Sequence, residues 1–293
     1  MSQPNEDAFS MVLKQLGDKI PPDVRLVKIE SEDSLQTLDP MISQRCIGLC
    51  EKQSFDSIVR HFKRFHIQHF VQLSTPNTVT EILSSVAMIT QPELMTSHPF
   101  KCFYPKYPID VKSSAVAHTK FEYTFCDGSE KESVLSALEE YVKGTPLGPR
   151  FLNDILFIGD ELFTNVFFHG GTNLEMTRRH LNEMKLNPGK EGYLFAGALD
   201  GRFIIGCRDL FGVLQIDKTL THLENCFSKG ISNTINLSER DGAKIGLARA
   251  VELSESIYLY VAPSVNTTLA FSINLNKPKK HNPTHFKSVH IIK

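Results

Sequence analysis

Residues 154–171 read Asp154-Ile-Leu-Phe-Ile-Gly-Asp-Glu161-Leu-Phe-Thr-Asn165-Val-Phe-Phe-His169-Gly170-Gly171. Ile155, Ile158, Leu162, Val166 and Phe167 recur every three or four positions, the period of a helix with one face on a core, and the paired glycines end it. Glu161 and Asn165 stand four apart and so project from one side. A carboxylate and a carboxamide stacked in this way can hold a hydrated divalent cation or orient a water for attack. The competing reading is a solvated polar stripe, which involves no chemistry.

The chain has 293 residues, enough for two domains that each bury a core. Its charged fraction is 22% and its formal net charge -1, so it lacks the global basicity of a nucleic-acid binder. No apolar run reaches the length of a membrane-spanning helix, and Met-Ser-Gln-Pro-Asn-Glu-Asp lacks the regions of a signal peptide, which predicts a cytoplasmic protein without membrane or nucleic-acid partners. The six cysteines, at 46, 50, 102, 126, 207 and 226, are scattered, and reduced thiols are expected. Cys46 and Cys50 have no matching second pair to complete a zinc site.

Residues 1–90 predict a small N-terminal α/β domain with a regulatory or interaction role. A short amphipathic helix, Ala8 to Leu16, precedes strands at Val24 to Ile29, Arg45 to Leu49 and His69 to Leu73, and helices at Phe55 to Phe65 and Val79 to Ile89 alternate with them, which implies a parallel sheet. The order from Arg45 to Thr90 is similar to the second half of a bacterial response-regulator receiver domain. The strand ends here offer only Cys50-Glu51 and Ser74-Thr75, without the acidic set a receiver uses, so the similarity implies a truncated form unable to accept phosphate. In Arg60-His61-Phe62-Lys63-Arg64-Phe65-His66, Phe62 and Phe65 fit a buried helix face and the basic residues an exposed C-terminal end, rather than a metal or nucleic-acid site.

Pro92, Pro99, Pro105 and Pro108 among aromatics mark 91–114 as a connector. A second domain, 115–276, then carries a strand at Phe121 to Phe125, a turn at Asp127-Gly128, a helix from Glu130 to Val142, and Thr145-Pro-Leu-Gly-Pro149 separating it from the Glu161 helix. Thr172 to Lys190 is polar and irregular, with the composition of a mobile loop. Asp200-Gly201 joins two hairpin strands, and the second runs into Arg208-Asp209-Leu210-Phe211-Gly212. A helix at Lys218 to Cys226, a polar loop from Ser228 to Arg240, a helix opened by Gly242-Ala-Lys244-Ile-Gly246, and strands at Ser256 to Val261 and Thr267 to Leu275 follow. Residues 277–293 form a basic C-terminal tail expected to be solvated.

This order of elements, with Glu161 and Asn165 on a helix, Asp209 at a strand end before Gly212, and glycines before a later helix, resembles the ATP-binding domain of histidine kinases, gyrase and mismatch-repair ATPases. Glu161-Leu-Phe-Thr-Asn165-Val-Phe-Phe-His169-Gly170 resembles most the branch of bacterial anti-sigma-factor serine kinases. The resemblance implies an α/β two-layer sandwich over residues 115–276 that binds ATP and Mg2+. It implies Asn165 as the magnesium ligand, Glu161 as the catalytic base or water-positioning residue, and Asp209 as the acceptor for the adenine amino group, with Gly212 close by. Gly242, Lys244 and Gly246 would meet phosphate, and Thr267 would support the adenine site, with Thr268 as its alternative if the register shifts by one.

The sequence departs from the family's Asp-x-Gly-x-Gly, because Phe211 and Val213 stand at both glycine positions. No phosphoacceptor histidine on a dimerising hairpin precedes the domain; His118 lies before a strand, and the connector is too rich in proline. Two functions stay open: a signalling protein that phosphorylates a Ser or Thr on a protein partner such as a sigma-factor regulator, or controls it through bound nucleotide, and a non-catalytic interaction module of the same fold. Assembly as a homodimer is compatible with both.

Overall fold

A computed structural model describes residues 7–30, 43–51, 53–73, 77–103, 120–145, 148–170, 178–199, 201–229, 242–276 and 287–293. Within them the chain is an α/β protein of nine strands and nine α-helices, with parallel and antiparallel pairing, and it divides into two compact units. One comprises Met1–Ile109 with Thr284–Ile292; the other is essentially Asp110–Pro283.

In the first unit, α1 (Ala8–Leu16) precedes β1 (Arg25–Ile29), β2 (Cys46–Cys50), α2 (Phe55–Phe65), β3 (His69–Gln72) and α3 (Thr78–Thr90). β1, β2 and β3 pair in parallel, as the alternation of strands and helices predicts. Val12 and Leu16 of α1 join Ile47, Leu49, Val71, Ile82 and Val86 in one core. Ser54 caps the start of α2, and His66 ends it in the left-handed region at φ 57°, its N–H donating to Phe62 O at 3.0 Å. Phe62 is buried and Arg60, Lys63 and Arg64 face solvent as expected for that basic run, whereas His61 within it is buried and Phe65 only half-buried. The proline-bearing connector is partly helical: α4 (Leu94–Ser97) and α5 (Pro99–Phe103) bury Met95, Cys102 and Phe103. Ser74, Thr75 and residues 104–119 lie outside the described residues.

Ser288–Ile292, expected to be solvated, instead form β9, which pairs antiparallel with β3 and is buried throughout. The Lys and His content of 277–293 suggested a solvated tail, but Val289, Ile291 and Ile292 give its last stretch enough apolar surface to take a place in the sheet.

The second unit holds β4 (Lys120–Phe125), α6 (Lys131–Lys143), α7 (Gly148–Gly170), β5 (Gly192–Leu199), β6 (Arg202–Asp209), α8 (Ile216–Lys229), α9 (Gly242–Leu253), β7 (Ser256–Ala262) and β8 (Asn266–Asn274). Its strands pair antiparallel in the order β7-β8-β6-β5-β4. α7 begins at Gly148, earlier than expected, because Pro149 falls in the first turn, where its missing N–H leaves no helix bond unmade. α7 packs on α6, β5 and β6, burying Ile155, Ile158, Leu162, Phe163, Val166 and Phe167; the Phe163 ring centroid lies 4.3 Å from that of Phe125.

The expected mobile loop is packed over its described part. Arg178–Glu183 form a 3-10 turn, Leu181, Met184 and Leu186 are buried, and Gly128 N donates to Met184 O at 2.8 Å. Three apolar side chains in a polar stretch suffice to fasten it, helped by the Lys185–Asp127 ion pair at 3.0 Å. Residues 171–177, Asp200 and residues 230–241, where a polar loop was expected, lie outside the described residues.

Candidate functional site

Glu161 and Asn165 lie on the buried side of α7, at 2% and 9% exposure, so the solvated-stripe reading is excluded. Asn165 Nδ2 donates to Glu161 Oε1 at 3.1 Å, the (i, i+4) contact their spacing predicts. Thr164, also buried, has a hydroxyl that makes no hydrogen bond to the described residues. It sits between two residues that the sequence singled out, and only its burial marks it.

Gly246 of α9 packs directly on Glu161. A Cβ there would lie 1.9 Å from Glu161 Oε2 and 2.3 Å from Cδ, so any other residue would drive the carboxylate away. The structure therefore unites Gly246 with Glu161. Gly242 is the first residue of α9, where helix N–H groups lack intrahelical partners. The side chain of Lys244 lies outside the described residues, as does that of His169.

Asp209, the last residue of β6, forms the second cluster. Its Oδ1 accepts from Phe211 N at 2.8 Å and from Gly212 N and Thr267 N at 3.3 Å each. Those bonds turn the chain sharply after β6 and orient the carboxylate. Thr267 is the register partner of Asp209, while Thr268 stands opposite Arg208 and so on the other face. The Thr267 hydroxyl is buried and makes no hydrogen bond to the described residues, a cost that a bound polar group would remove. The carboxylate of Asp209 adds to burial in pushing the Cys207 thiol well above its ordinary range.

Gly212 has φ +62°, and a Cβ on it would lie 2.2 Å from Ala262 O, so the turn between β7 and β8 rests against its backbone. Neither Phe211 nor Val213 has a positive φ, so the backbone at both positions accepts bulky residues. Lys190, which the sequence reading passed over inside a supposed loop, donates to Leu210 O and lies 5.8 Å from the Phe211 ring centroid. A lysine in a polar segment carries no signal of such a contact.

All six cysteines are free thiols, and five are buried. Among the described residues no group of three His, Cys, Asp or Glu side chains is placed to hold a metal ion by itself. None of their helices is long and apolar enough to cross a membrane. Comparison with protein-family models and with curated proteins gives no match.

Proposed function

We propose that residues 115–276 bind ATP with Mg2+ as a kinase-like domain of the histidine-kinase ATPase type, in a bacterial cytoplasmic signalling protein that acts on a protein partner. The observation that carries this reading is the buried Asp209 carboxylate facing Thr267, whose hydroxyl makes no hydrogen bond to the described residues, at the end of the strand that packs beneath the Glu161 helix. A carboxylate acceptor beside a spare hydroxyl suits the amino group and ring nitrogen of adenine.

Bound Mg-ATP would supply a transferable phosphoryl group whose charge the cation offsets. Asp209 accepts from the adenine amino group, and Thr267 supports the same edge. Asn165 uses its amide nitrogen on Glu161, which leaves its carbonyl oxygen suited to the cation. Glu161 takes the proton of the attacking hydroxyl, a Ser or Thr of the partner. The start of α9 at Gly242, with Lys244 in its first turn, suits the phosphate groups. The second reading, a non-catalytic interaction module, is favoured by Phe211 and Val213 at the glycine positions.

Calorimetric titration with a non-hydrolysable ATP analogue, with and without magnesium, tests the site. Micromolar, magnesium-dependent affinity is expected; no heat at millimolar nucleotide would leave only the interaction module. Asp209→Asn keeps an oxygen for the three backbone N–H groups and is expected to weaken the analogue about tenfold through the lost charge-assisted bond, with little change in stability. Asn165→Ala is expected to remove most of the magnesium dependence while leaving metal-free binding intact. Wild-type affinity in both variants would displace the site from these residues.

A further inference from the structure

The turn that follows Asp209 is held from a second segment of the chain. Asn187-Pro-Gly189-Lys190 has the composition of a type II turn, with proline second and glycine third. Gly189 takes φ +76°, and Lys190 N donates to Asn187 O at 2.9 Å. The turn is anchored on both sides, because the buried Leu186 donates its N–H to Cys126 O at 2.8 Å and β5 starts at Gly192. Tyr193 is the register partner of Arg208, so the same register carried three positions further sets Lys190 beside Phe211. Lys190 is half-buried there, with Nζ donating to Leu210 O and lying 5.8 Å from the Phe211 ring centroid.

Leu210 O and Phe211 N belong to one peptide unit. Its carbonyl accepts from Lys190, and its N–H donates to Asp209 Oδ1 at 2.8 Å. The unit is planar, so fixing its oxygen fixes the direction of its N–H. An ammonium at the carbonyl also polarises the unit and strengthens that N–H as a donor. Gly212 N and Thr267 N reach the same oxygen at 3.3 Å each, so the bond that Lys190 governs is the shortest of the three. Arg208 alternates to the opposite face of β6, where its guanidinium lies 4.9 Å from the Tyr193 ring centroid.

We propose that Lys190 is a positioning residue: through the peptide unit between Leu210 and Phe211 it holds the Asp209 carboxylate in line with the adenine amino group. The role rests on the nucleotide reading given above for Asp209 and Thr267. Lys190 acts on the direction of the acceptor and makes no contact with the base itself.

Lys190→Met keeps the stem and sets a thioether against the Phe211 ring while removing the donor and the charge; Lys190→Arg keeps both. Hydrogen exchange of the nucleotide-free full chain reads the contact. The Phe211 amide is expected to exchange about tenfold faster in Lys190→Met, and within about twofold of the unaltered chain in Lys190→Arg. Unchanged exchange in Lys190→Met would overturn the proposal, as would a rise spread over all of β5 and β6, which marks a loosened fold.

Calorimetry with two ligands reads the function: the non-hydrolysable ATP analogue, and its counterpart with an unsubstituted purine base, which lacks the amino group. Lys190→Met is expected to weaken the first about fivefold and leave the second within about twofold, and Lys190→Arg to restore the first. Equal weakening of both ligands would overturn the positioning role, because a loosened site does not distinguish them. If the unaltered chain binds neither ligand, the nucleotide reading fails and takes the functional role with it. The exchange result does not depend on nucleotide, so it tells that failure apart from a failure of the lysine contact.

Discussion

Glu161→Gln is expected to bind Mg-ATP as the unaltered chain does and to lower its turnover by about a hundredfold or more, the scale of losing a general base. The substitution is nearly isosteric, and the Gln carbonyl oxygen can still accept from Asn165 Nδ2, so the helix pairing survives. What disappears is the capacity to take a proton from an attacking hydroxyl or water. Single-turnover phosphate release, measured beside analogue affinity, separates the two effects. Unchanged turnover would remove Glu161 from the chemistry. Absence of turnover in the wild-type chain, with binding retained, would favour the interaction-module reading.

Gly246→Ala is expected to destabilise the protein by about 3 kcal/mol, at the upper end for an overpacked core. The new Cβ would lie 1.9 Å from Glu161 Oε2, on a carboxylate that is itself buried and bonded to Asn165. Either α9 moves off α7 or Glu161 leaves its partner. Adding Glu161→Ala makes room, so the double variant should be less destabilised than the sum of the single changes, a positive coupling readable by urea denaturation. Strict additivity would show that the two helices do not meet at this contact.

The pattern of elements was largely legible because each carries its own periodicity. The strands and helices of residues 8–90 stand within a residue or two of expectation, as do the hairpin around Gly201 and the strand that ends at Asp209. The misreadings came where composition stood in for burial. Thr172 to Lys190 is polar on average, yet Leu181, Met184 and Leu186 fasten its described end. Residues 277–293 are basic on average, yet five of them form a strand in the sheet of the other unit.

The sequence by itself determined an α/β protein with a helix that sets Glu161 and Asn165 on one side, and with Asp209 at a strand end. These follow from chain-local periods of 3.6 and 2. Tertiary structure alone decided that Glu161 and Asn165 are buried and that Gly246 rests on Glu161. It also placed Thr267 opposite Asp209 and paired His290 with His69 across 221 positions of chain. Such contacts depend on strand register and helix packing between distant segments, and no local pattern of residue types encodes them.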